Sequence, residues 1–66
     1  MDRKAKNMIL QKGDATIAFT VRRRDAVVRV KSYKGTKFKA ETELTLDQGT
    51  FLYYNLVDNK GYQEVF

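Results

Sequence analysis

Residues able to do covalent or acid–base chemistry are scarce in this chain. It contains no His and no Cys, and its thirteen Lys and Arg outnumber eight Asp and Glu to give a net charge of +5. Nucleophilic catalysis needs a nucleophile with a base beside it, and a transition-metal centre needs His or Cys ligands; neither can be assembled here. Glu41 and Glu43 share one face of a strand if that segment is extended, about 7 Å apart. Acids beside a row of lysines serve more readily as solvated ion-pair partners than as a catalytic pair. The acids at 41, 43 and 47 also lack the Gly-punctuated loop of a calcium site. The expectation is a protein that is not an enzyme and holds no metal or cofactor.

The chemistry that remains is electrostatic. Residues 22–39 carry eight bases and one acid, a local charge of +7, whereas residues 40–66 carry one base and five acids, −4. A chain polarised in this way points to a polyanion as partner for its basic part. If residues 15–44 alternate as strands, Arg22, Arg29, Lys31, Lys37 and Lys39 project from one side, with Thr20, Val27 and Tyr33 among them. Cations held about 5 Å apart on neighbouring strands repel one another, and phosphate groups relieve that repulsion while releasing counterions. Tyr33 on the same face could stack an unpaired base. A wet sheet face decorated with Lys to prevent edge-to-edge association is the competing explanation.

The elements that must hold this row are legible as alternation. Ile17, Phe19 and Val21 face one side of a first run; Ala26, Val28, Val30 and Ser32 face it from a second; Phe38, Ala40, Thr42 and Leu44 from a third. Strict alternation of this length predicts half-buried antiparallel strands. Arg24-Asp25 and Lys34-Gly35-Thr36 are read as hairpin turns, and Asn7-Met8-Ile9-Leu10-Gln11 as a further short strand turned by Gly13-Asp14.

The C-terminal third supports two readings. A helix over 45–59 gathers Leu46, Gly49, Leu52, Tyr53, Leu56 and Val57 on one face, with Thr45 and Gln48 as a capping box and Gly61 as the stop. Gly49 inside it costs about 1 kcal/mol relative to Ala, unless it lets the helix lie close to the sheet. Alternatively, aromatic β-prone runs around Asp58-Asn59-Lys60-Gly61 form another hairpin. The fold class expected is α+β: an antiparallel β-meander of three to four strands followed by one C-terminal helix. The alternative is an all-β, five-stranded small barrel. One domain of 66 residues is divided into an N-terminal arm or short strand (1–14), a meander (15–44), a helix (45–59) and a tail (60–66).

So short a chain buries a marginal core and has no disulfide or metal to staple it, which favours a homodimer. The apolar run Met8–Leu10 is too short for a secretory signal, no run approaches the ~20 apolar residues of a membrane span, and a cytoplasmic location is expected.

The stretch VVRVKSYKGTKFKAE, followed by LTLDQ, resembles the positive-cofactor-four-like single-stranded DNA-binding domains, a family with bacterial and phage members; the likeness covers roughly residues 16–58. It departs in lacking a Gly-Lys-rich loop before the last strand and in placing Gly49 after Gln48. The resemblance implies a curved sheet on which Arg22, Arg29, Lys31, Tyr33, Lys34 and Lys37 line a groove for single-stranded DNA or RNA. It implies a homodimer in which Leu52, Tyr53 and Leu56 serve the core and the dimer contact. The other function considered is a small interaction or inhibitor protein, phage-encoded in one version, that docks on an acidic host protein.

Overall fold

Two glycines set the first turns of the sheet. Gly13 and Gly35 each open a two-residue loop with φ near +60° (61° and 63°), a conformation that costs glycine nothing and other residues a Cβ clash. In the computed structural model, which describes residues 6–65, these loops join β1 (Lys6–Lys12) to β2 (Ala15–Arg22) and β3 (Val27–Lys34) to β4 (Lys37–Thr45). The helix α1 (Leu46–Asn59) and a short strand β5 (Gln63–Val65) follow. All neighbours pair antiparallel in the order β4-β3-β2-β1-β5, so the sheet is an open five-stranded layer, not a barrel, with one helix on one face.

The N-terminal arm or short strand expected over 1–14 is the strand β1; residues 1–5 lie outside the described residues. The expected tail over 60–66 contains β5, whose three residues pair with Ile9–Gln11 of β1 and so cover part of an edge that would otherwise offer unpaired backbone groups.

Helix formation follows from local chemistry and closure from packing. Thr45 Oγ1 accepts from the Gln48 N–H, and the Thr45 N–H donates to Gln48 Oε1, both at 3.1 Å, completing the capping box that a helix starting at Leu46 needs. Gly49 is buried, and a Cβ built on it would lie 2.6 Å from Val28 Cγ2 and 2.7 Å from Val28 Cβ. The missing side chain is therefore what lets the helix backbone rest on β3. Leu10, Phe19, Val28, Val30 and Leu56 form the buried core, with Met8, Ile17, Val21, Leu44, Leu52 and Tyr53 among the residues packed around it.

The far end of the helix is tied down by groups from the sheet. No base occupies the last helical turn, but Lys12 Nζ from β1 reaches the Lys60 carbonyl at 2.6 Å, placing a cation at the negative end of the helix dipole. The Tyr62 N–H returns to the Leu56 carbonyl at 3.0 Å. Tyr53 stands edge-on to Phe19, ring centroids 5.7 Å apart, and its hydroxyl donates to Glu64 Oε1 in β5. That hydrogen bond, then burial and the nearby Glu64 charge, push the Tyr53 phenol up to about 12 from 10.0.

Two inward assignments are overturned. Ala26 does not face the core: it ends the four-residue turn Arg23–Ala26, exposed, with φ 56°, where the hydrogen bonds Asp25 N–H to Arg22 O and Ala26 N–H to Arg23 O close the turn. The expected two-residue turn Arg24-Asp25 is thereby one residue longer at each end. Phe38 does not face the core either, and its displacement shapes the site.

Candidate nucleic-acid interface

Two requirements on β4 conflict, and the outcome builds the outer face of the sheet. The tight loop Gly35-Thr36 pairs Lys34 with Lys37 and Tyr33 with Phe38. Continued unchanged, that register would set Val28 opposite Glu43 and bring a carboxylate into the apolar layer beneath the helix. The core instead requires Val28 opposite Leu44 and Val30 opposite Thr42, which is the pairing found. The two registers differ by one residue, and the shift falls between Ser32 and Tyr33, leaving Lys39 without a cross-strand partner, as in a β-bulge.

Residues opposite one another in a ladder share a face, so each candidate can be placed by its pairing. Arg29, Lys31 and Tyr33 lie on the face away from the helix, opposite Glu43, Glu41 and Phe38 respectively. On β2, Thr20, Ala18 and Thr16 continue these three rows, and Asn7, Ile9 and Gln11 of β1 complete them. Thr20 Oγ1 donates to Asn7 Oδ1 at 3.0 Å.

The basic row inferred from alternation divides. Arg29 is engaged by acids: Nη1 lies 3.1 Å from Glu41 Oε2 and Nη2 4.0 Å from Glu43 Oε1. Its Nε is shut off from solvent with no hydrogen-bond partner, so the guanidinium is committed to β4. Arg22 sits at the end of β2 and is 3.5 Å from Asp25 within its own turn. Lys31 is half-buried between these regions. Lys37, expected on the basic face, pairs with Lys34 beyond the register shift; the extra residue on β4 turns it toward the opposite side. Lys34, Lys37 and Lys39 are all exposed at the β3–β4 tip.

What the shift takes from the row in charge it returns in aromatic surface. Phe38, 53% exposed, packs edge-to-face on Tyr33 with ring centroids 5.7 Å apart and planes at 70°. The sheet thus has an aromatic corner at the tip that carries Lys34, Lys37 and Lys39, with Lys31 beside it, and at mid-strand an ion-paired patch of Arg29, Glu41 and Glu43. Phe38 was missed as a site residue because simple alternation put it inward. The signal available in the sequence was the incompatibility between a two-residue Gly35-Thr36 turn and Leu44 opposite Val28.

The three helix residues assigned to core and dimer contact serve the core of a single chain. Leu56 is buried, and Leu52 and Tyr53 are half-buried against that core. The aromatic side chains that α1 presents outward are Phe51 and Tyr54, 76% and 57% exposed. Among the described residues no three acids or other ligating side chains gather to hold a metal ion, and no helix is long and apolar enough to cross a membrane.

Comparison with known proteins leaves the geometry to speak alone: no family model, no curated protein and no solved structure matches the chain.

Proposed function

We propose that this protein binds single-stranded nucleic acid, without sequence preference, at the aromatic corner of its sheet. The observation that carries the reading is the Tyr33–Phe38 pair on the wet face, with Lys31 on the same face and Lys34, Lys37 and Lys39 exposed at the adjoining hairpin tip. Stacking on an aromatic ring needs a base freed from its partner, and the surrounding amines supply phosphate contacts that any sequence satisfies. Arg29 is a secondary contributor, because a phosphate has to compete with Glu41 and Glu43 for it. The footprint is accordingly short and lies toward the β3–β4 tip, not along the whole face.

The test is fluorescence anisotropy of labelled oligo-dT, an equivalent RNA and a duplex at two salt concentrations. Saturable, salt-sensitive binding of the single strands is expected, with Phe38→Ala weakening it by roughly 1–3 kcal/mol, the range for loss of one stacked base. Lys31→Ala lowers affinity and flattens the salt dependence. Wild-type protein that fails to bind either single strand at low salt would overturn the proposal. Preference for the duplex would remove the stacking role of Phe38 and Tyr33.

A further inference from the structure

The outward face of α1 combines large aromatic exposure with uncompensated negative charge. Phe51 and Tyr54 are its most exposed apolar residues. One helical turn before Phe51 stands Asp47, and one turn after Tyr54 stands Asp58; residues four apart lie on one helix face. Both acids are exposed. No Lys or Arg occurs between Leu46 and Asn59, and among the described residues no base lies within ion-pair distance of either acid.

This charge pattern discriminates between ways of covering the stripe. If two copies packed helix against helix in antiparallel fashion about the centre of the stripe, Phe51 would meet Tyr54 of the second copy. The same register sets Asp47 against Asp58 of that copy. A parallel pairing sets Asp47 against Asp47 and Asp58 against Asp58. Either symmetric arrangement brings like carboxylates together with no base on the helix to offset them, which is destabilising. The stripe is built for a cationic counterpart.

The chain carries such a counterpart at a different place. In the turn Arg23–Ala26, Arg22 is occupied by Asp25 at 3.5 Å, whereas Arg23 and Arg24 are exposed and, among the described residues, have no acid within 4.0 Å. Arginine pairs with carboxylates through a planar fork and also stacks on aromatic faces, so two adjacent arginines suit a stripe of two aromatics flanked by two acids.

We propose that a second copy of this chain docks head-to-tail, its Arg23–Arg24 turn seated on the Asp47–Phe51–Tyr54–Asp58 stripe of α1. The contact joins two different surfaces, so each bound copy still offers one free turn and one free stripe, and assembly continues into chains or closes into a ring according to the rotation between copies. It is independent of the nucleic-acid site, which lies on the other face of the sheet and at the other hairpin. The patch is small, and the association is weak, reversible and sensitive to salt.

The experiment is sedimentation velocity on nuclease-treated protein over a concentration series, at low and high salt. Wild type is expected to show a sedimentation coefficient that rises with concentration at low salt and returns to the monomer value at high salt. Arg23→Glu with Arg24→Glu, and separately Asp47→Lys with Asp58→Lys, are each expected to stay monomeric. Their equimolar mixture is expected to recover association with one-to-one alternation, because the intact acidic stripe of the first takes the intact basic turn of the second and the two reversed surfaces are again opposite in charge. Circular dichroism on each variant verifies the fold. A wild type that stays monomeric at every concentration overturns the proposal and leaves the stripe to a foreign basic partner. An arginine variant that self-associates as well as wild type overturns it in favour of symmetric helix pairing, and two folded variants that do not combine overturn it outright.

Discussion

Replacing Gly49 with alanine puts the packing of helix on sheet to a direct test, because two well-calibrated effects oppose each other there. In an exposed helix interior the change stabilises by about 1 kcal/mol through helix propensity. Here the added methyl would sit 2.6, 2.7 and 3.0 Å from Val28 Cγ2, Cβ and Cγ1, all shorter than van der Waals contact between carbons. Val28 cannot swing aside: it is β-branched, buried, and its Cβ is fixed to the backbone of a strand with partners on both sides. The helix must lift or the strand must shift, and because one clash is with a Cβ that cannot rotate away, the cost falls in the upper part of the usual overpacking range, about 2–3 kcal/mol. The balance is a net destabilisation of about 1–2 kcal/mol. A domain of this size has a total stability of order 3–10 kcal/mol, so the loss is large. With an m-value of about 1 kcal/mol/M in urea, the unfolding midpoint read by circular dichroism falls by about 1–2 M. Val28→Ala in the Gly49→Ala background removes two of the three contacts but not the one to Cβ, so the two substitutions should be coupled, their combined effect smaller than their sum. A Gly49→Ala protein more stable than wild type would refute the close approach.

Two further expectations concern ionisation and charge. The Tyr53 phenol, pushed up to about 12 by Glu64 and by burial, favours the protonated form in the folded state. Its contribution to stability is therefore complete below pH 10 and is lost as pH rises from 10 through 12. The stability advantage of wild type over Tyr53→Phe should shrink across that window in denaturation curves taken at several pH values; a constant difference would mean the Tyr53–Glu64 bond does not distinguish the folded state. Glu41→Gln with Glu43→Gln releases Arg29 to the outer face and, on the proposed function, tightens oligo-dT binding and steepens its salt dependence by about 0.7 in log–log slope for one added phosphate contact. Unchanged affinity and slope would show that a bound strand does not run past Arg29.

The sequence by itself determined whatever depends on neighbours along the chain. Period-two patterns around Phe19 and Val28 specify strands with one dry face, and Thr45 with Gln48 specifies a helix start through hydrogen bonds spanning three residues. A glycine one turn into an otherwise favourable helix implies a close approach, and the approach to Val28 is there. The stop at Gly61 and the small positive loops at Gly13 and Gly35 belong to the same class. Two strand assignments fell short for a common reason: Ala26 and Phe38 lie at the ends of hairpins, where loop length and register, not periodicity, decide direction.

Tertiary structure decided what depends on agreement between distant parts. The two-residue turn at Gly35-Thr36 fixes one end of the β3–β4 ladder, and the apolar pair Val28–Leu44 fixes the other. The single residue by which they disagree is absorbed at Lys39, which sends Phe38 out beside Tyr33 and Lys37 away from the basic row. Neither segment contains that information alone. The same holds for Arg29: alternation places it among cations, but only the pairing of β3 with β4 sets Glu41 and Glu43 against it and turns an apparent row of positive charge into one ion-paired patch and one aromatic corner. Side-chain direction is a local property of a strand, whereas the identity of its cross-strand neighbour is a compromise reached by the whole sheet.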